Sequence, residues 1–112
     1  MSVFISQGRF TKEAVRSLLA KPEDRAESIA KLFSACGGKL ISYYVTFGDY
    51  DFVVISEGPD EGVVTSTIVV SAAGEVSDLK TMLAIPSSEM KKAFAKAGAV
   101  AAKFQQAGAA AA

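Results

Sequence analysis

The chain has 112 residues, 50% of them hydrophobic, with twelve Lys and Arg balanced by twelve Asp and Glu and with no histidine. That length sustains one core and one domain, and the balanced charge argues against nucleic acid, whose phosphates reward a basic surplus. A mean hydropathy of +0.28 is high for such a chain, yet no apolar run approaches the ~20 residues of a membrane-spanning helix.

The lack of histidine removes the commonest general base and metal ligand, and with it any Ser-His or Cys-His nucleophile pair. No Cys/His ligand set exists and the carboxylates are scattered, so neither a metal nor a cofactor is expected. A single cysteine, Cys36, cannot close an internal disulfide. No basic segment followed by an apolar stretch opens the chain. Cytoplasmic residence is the expectation.

Val3 to Phe10 reads as a first strand, with Phe4, Ser6 and Phe10 on one face and Val3, Ile5 and Arg9 on the other. Thr11 suits the N-cap of a helix through Leu19 and Ala20. Pro22 pushes Lys21 out of helical geometry and so marks a break. Pro22, Glu23 and Asp24 then suit a fresh helix start, with proline in the first turn and carboxylates at the positive end of the dipole. Ala26, Ile29, Ala30 and Phe33 recur at helical spacing on this helix, which runs to Cys36 and stops at Gly37-Gly38.

Lys39 to Phe47 and Tyr50 to Glu57 form the next two strands. Val63 to Val70 is β-branched enough for a strand, but Pro59-Asp60-Glu61 and Gly74 are helix punctuation, so a helix is expected there. Glu75 to Ile85 is extended again and ends at Pro86. Ser87 or Ser88 can cap a last helix carrying Met90, Phe94, Ala97, Ala101 and Phe104 on one face and Lys92, Lys96 and Lys103 on another. The order is β-α-β-β-α-β plus a C-terminal helix: an α+β, ferredoxin-like pattern with a four-stranded antiparallel sheet. Residues 1–86 form this domain, 87–106 a helix packed on it, and 107–112 an Ala-rich tail that frays.

Between the middle strands, Gly48-Asp49 fits a two-residue type II′ turn, with Phe47 facing Tyr50 and Thr46 facing Asp51. One face then collects Ile41, Tyr43, Val45, Phe47, Tyr50, Phe52 and Val54. The other collects Leu40, Ser42, Tyr44, Thr46, Asp51, Val53, Ile55 and Glu57. The second set is too apolar for a solvated face. Burying each such apolar side chain contributes ~1.5–3 kcal/mol, so a second subunit covering this face is the economical arrangement.

These residues resemble the GYD domain family, whose glycine-tyrosine-aspartate signature appears as Gly48-Asp49-Tyr50-Asp51. Pro22 with Arg25-Ala26, Gly37-Gly38-Lys39, Tyr44, and Pro59-Asp60 support the match, which covers roughly residues 3 to 85. The family looks like a branch of the dimeric α/β-barrel superfamily, in which two ferredoxin-like sheets pack face to face. The resemblance therefore implies a fold and a homodimer or higher homo-oligomer. It implies no reaction.

Candidate chemistry is sparse. Asp51 could be a base beside a cleft, although pairing with Thr46 or a cation accounts for it as well, and Asp49 serves the turn. Tyr44, with Ser42, Thr46 and Asp51 near it, is the better pocket candidate of the two adjacent tyrosines, and otherwise an aromatic interface residue. Arg9 and Lys80 could neutralise Asp51 or hold an anionic ligand. Cys36 reads as a structural thiol, and Gly37-Gly38 follows its helix, so it is a cap and not a phosphate cradle.

A homo-oligomeric small-molecule-binding or structural module is the leading expectation. A cofactor-independent enzyme of monooxygenase or isomerase type, with Tyr44 and Asp51 handling protons, is the alternative. A protein-interaction module using a sheet edge or the C-terminal helix is the third.

Overall fold

The computed structural model describes residues 2–111, with side chains through Phe104. The tail expected to fray at 107–112 is helical through Ala111, and Ala112 lies outside the described residues. The elements are β1 (Ser2–Phe10), α1 (Lys12–Ala20), α2 (Arg25–Ala35), β2 (Lys39–Val45), β3 (Phe52–Gly58), α3 (Asp60–Ala72), β4 (Val76–Ala84), a 3-10 turn (Ser87–Glu89) and α4 (Met90–Ala111). All four strands join one antiparallel sheet in the order β2-β3-β1-β4, the ferredoxin-like arrangement.

Local chemistry sets most of the element ends. The Thr11 hydroxyl accepts from Ala14 N, and Asp24 caps α2 by accepting from Ala26 N. Pro22 therefore lies two residues ahead of that cap and not in the first turn. At the other end of α2, Gly37 has φ 82°, its N–H reaches Ser34 O, and Gly38 N reaches Phe33 O. That pair of bonds is a Schellman stop, which needs the left-handed conformation glycine adopts freely. The β-branched run in α3 is fully helical. Before α4, Ser87 and Ser88 make no side-chain cap. They enter the 3-10 turn after Pro86.

The register expected from the turn holds where Val45 faces Phe52, Tyr44 faces Val53, Tyr43 faces Val54 and Ser42 faces Ile55. Two parts of the expectation fail. A bulge at Ile41 puts Leu40 opposite Ser56, so Leu40 lies on the face of Phe52 and Val54 while Ile41 is left exposed. The turn is also wider than two residues. Thr46 N donates to Asp51 O at 2.8 Å, the Thr46 hydroxyl donates to Tyr50 O at 2.7 Å, and Gly48 lacks the positive φ of a type II′ turn. Phe47 at its tip is 99% exposed, and Tyr50 turns to the face opposite Phe52.

Both α2 and α3 lie against the face made by Phe4, Ser6 and Phe10 of β1, Phe52, Val54 and Ser56 of β3, and Tyr43 of β2. Only Ala14, Phe52 and Val54 are buried apolar residues among those described. Val3, Ile5, Val53, Ile55 and Met82 share the opposite face. The Cα radius of gyration is 18.9 Å, against about 13 Å for a compact chain of this length. The excess comes from α4, whose substantial contacts are with the 3-10 turn alone. Phe94 and Phe104, the stripe expected to pack on the domain, are 70% and 78% exposed.

Candidate functional site

The Gly48–Asp51 loop and the row of polar residues across the open sheet face carry the side chains that the sequence singles out. The Asp51 carboxylate accepts from Phe10 N at 2.9 Å, and Asp51 N donates to Gly8 O at 2.8 Å. Its carboxylate thus satisfies a backbone donor at the end of β1 and ties the loop to that strand. Tyr44 is exposed on the open face, Ser42 lies one row away on the same strand, and no hydrogen bond joins either to Asp51 among the described residues.

Arg9 and Lys80 do converge, on Tyr50 and not on Asp51. Lys80 Nζ donates to the Tyr50 hydroxyl at 2.7 Å and sits 5.3 Å from the ring centroid, while the Arg9 guanidinium carbon is 5.8 Å from it. The Tyr50 bond raises the Lys80 ammonium above its ordinary range. Arg9 Nε also pairs with Asp78 at 3.3 Å. Asp78 stands at φ 50° beside the bulge that separates Gln7 from Arg9, a backbone region that aspartate tolerates better than most residues. These groups form a solvated cationic row held by an aromatic ring.

A concavity lies on the other side of the sheet. Beneath α2 and α3 is a cavity of about 360 Å³, within the ~300–1,000 Å³ range of small-molecule sites. Phe10, Phe52, Val54 and Leu79 form its floor on the sheet, and Ile29, Leu32, Phe33, Val63 and Val70 form its helical wall. Phe10 and Phe52 lie with centroids 5.3 Å apart, and Tyr43 stacks on Phe52 at 6.1 Å. The polar lining residues are Ser6, Glu23, Arg25, Ser28, Tyr43, Ser56, Ser66, Thr67 and Glu75. Ser66 is buried with its hydroxyl bonded to Val63 O at 3.0 Å, and the Thr67 hydroxyl bonds the same carbonyl at 2.8 Å. Both are thereby satisfied within the helix and leave the wall effectively apolar.

Charge gathers among the polar lining. Arg25 donates to Glu75 and, at 3.4 Å, to Glu23. The Glu75 bond is the main cause of its raised pKa. Arg25 Nε is buried and has no partner among the described residues. Burial raises the Tyr43 phenol above its ordinary range, with nearby Arg25 opposing the shift, so this hydroxyl stays protonated at neutral pH. One guanidinium faces two carboxylates here, which leaves a net negative group beside an apolar chamber.

Tyr44, favoured over Tyr43 by the sequence, lies on the open face, whereas Tyr43 lines this cavity. A signal was available in α3, where a run of β-branched residues carries Ser66 and Thr67 at the inward spacing of Val63 and Val70. The pairing of Arg25 with Glu75 joins residues 50 apart and has no local signature.

No described helix is long and apolar enough to cross a membrane, and no curated protein matches the chain. Among solved structures, FFRP-DM1 is similar at 22% identity and TM-score 0.45, over 76% of this chain and 100% of its own. The hypothetical protein PHS023 from Pyrococcus horikoshii is similar at 22% identity and TM-score 0.45, over 78% and 93%. TTHA0845 from Thermus thermophilus follows at 17% identity and TM-score 0.42, over 78% and 96%. Residues 4–94 match the GYD domain, extending past the sheet into the first turn of α4. The chain belongs to the GYD domain family.

Proposed function

We propose that this protein is a binding module for a small, mainly apolar and uncharged molecule, held in the cavity between the sheet and α2 and α3. The cavity itself carries the reading: about 360 Å³ of space lined mainly by aromatic and aliphatic side chains in a domain with only three buried apolar residues among those described. A cleft of this size between the sheet and the helices leaves apolar side chains without packing partners, and a ligand supplies the missing contacts. The net negative charge of Arg25, Glu23 and Glu75 disfavours a carboxylate guest. The unpartnered Arg25 Nε and the protonated Tyr43 hydroxyl favour a neutral guest with one acceptor atom.

The neutral fluorophore N-phenyl-1-naphthylamine tests this. Saturable binding at one molecule per chain is expected, and Ser66→Leu, which places a branched side chain in the cavity, should abolish it. Absence of saturable binding in the unaltered protein, or undiminished binding in Ser66→Leu, would overturn the reading.

The module is proposed to work as a homodimer through the open sheet face. Val3, Ile5, Val53, Ile55 and Met82 lie there with neither α2 nor α3 over them, and covering them removes apolar area from water. Light scattering over a dilution series should give a dimer mass, and Ile55→Asp should weaken that dimer. A monomeric unaltered chain at every concentration would defeat the assembly.

A further inference from the structure

We propose that α4 is an exchanged arm, whose Phe94–Phe104 stripe packs across the outer face of α3 in a second copy of this chain. Three observations meet in this assignment. The first concerns α3, which is apolar on both sides. Val63 and Val70 line the cavity, while Val64 and Ile68 on the outer face are 59% and 63% exposed. A helix that is hydrophobic all round belongs in an interior, so the outer face of α3 lacks a cover.

The second concerns α4. Phe94, Ala97, Ala101 and Phe104 follow one another at alternating intervals of three and four residues, the spacing of a helix–helix seam. That seam is open to solvent, and within one chain α4 is directed away from the body that could cover it. Phe94 to Phe104 spans about 15 Å along the axis, and Glu61 to Ala72 on α3 spans about 16 Å, at the rise of an α-helix.

The third is charge. Lys91, Lys92, Lys96 and Lys103 are a third of the chain's twelve cations, and no acidic residue follows Glu89. The remaining eight cations are therefore set against all twelve acids in residues 1–89. Asp60 and Glu61 lead α3, and no Lys or Arg occurs between Asp60 and Ala72. A basic amphipathic helix and an acid-led apolar helix are complementary in both hydrophobic pattern and sign. Two such exchanges related by a two-fold axis close on themselves and give a dimer.

The test mixes two populations of the full chain. One is isotopically labelled with 15N and carries no spin label. The other is unlabelled, with Cys36→Ser and a nitroxide on Lys96→Cys, a position outside the seam. Only contacts between copies can then broaden the labelled amide signals. Loss of signal at Val64 and Ile68 is expected, and Val64→Glu with Ile68→Glu in the labelled copy should restore it while leaving the circular dichroism spectrum unchanged. Broadening confined to Val53 and Ile55 on the sheet face would overturn the proposal, as would no broadening at all. Should the spin-labelled chain fail to fold, sedimentation of the unaltered chain against Phe94→Glu with Phe104→Glu decides. Equal dissociation constants for the two would overturn the proposal, and a weakened dimer supports it.

Discussion

The Asp51 carboxylate accepts a hydrogen bond from Phe10 N at the end of β1, so its value is measurable as stability. A hydrogen bond to a charged acceptor contributes ~1.5–3 kcal/mol, and this one is only part-buried. Asp51→Ala should therefore destabilise the fold by about 1.5 kcal/mol, with Asp51→Asn, which keeps an acceptor oxygen, costing less than half of that in urea denaturation. An equal loss for both would show that the charge and not the bond matters. Gly62 offers a sharper case. A Cβ there would overlap the Cys36 carbonyl oxygen, with backbone on both sides of the contact, so Gly62→Ala should cost about 1–3 kcal/mol through forced backbone shifts, read from the same denaturation curves. The sequence offers Thr46 or a cation as the partner of Asp51, and the carboxylate instead accepts from Phe10 N. The sequence could not name that partner, since the contact joins residues 41 apart and depends on how the loop lands on β1.

Element by element, legibility depends on whether the signal is local. Thr11, Asp24 and Gly37 carry their capping chemistry in their own side chains or in their lack of one, and the helix ends follow them. The hairpin register is legible from Ser42 to Val45 because the loop sets it, and it is lost at Ile41 because one extra residue in a strand leaves no trace in an alternating pattern. In α3 the pattern is inverted, with hydroxyls turned inward and Val64 and Ile68 outward, so hydrophobicity alone gives no inside. That inversion makes Ser66 a useful probe. Ser66→Leu improves helix propensity and places apolar volume in an underfilled cavity, which should raise stability by about 1 kcal/mol as it removes ligand. A variant that is both destabilised and still binds would mean that the cavity is not where the probe sits.

At the scale of the whole molecule, the apolar surplus in the composition has three destinations: an incompletely filled core, an open sheet face and the exposed seam of α4. The composition shows that the surplus exists, but only the fold shows that none of the three is closed within one chain. The global stability also has a signed dependence on pH. Tyr43 is held above its ordinary value by burial, and Lys80 above its own by the Tyr50 hydrogen bond. In both cases the folded chain retains a proton that the unfolded chain has already released. Where the native state binds more protons, stability falls as pH rises. The contribution is thus complete below the unfolded tyrosine value near pH 10 and is lost as pH climbs through the folded value. Urea midpoints measured from pH 8 to pH 11 should fall over the upper part of that window. Tyr43→Phe keeps the ring on Phe52 but has no proton to lose, so its midpoints should fall less steeply. Because ligand in the cavity excludes water from the same phenol, the neutral probe should shift Tyr43 ionisation, read as tyrosinate absorbance, to still higher pH. An unshifted titration at saturating probe would place the ligand away from Tyr43.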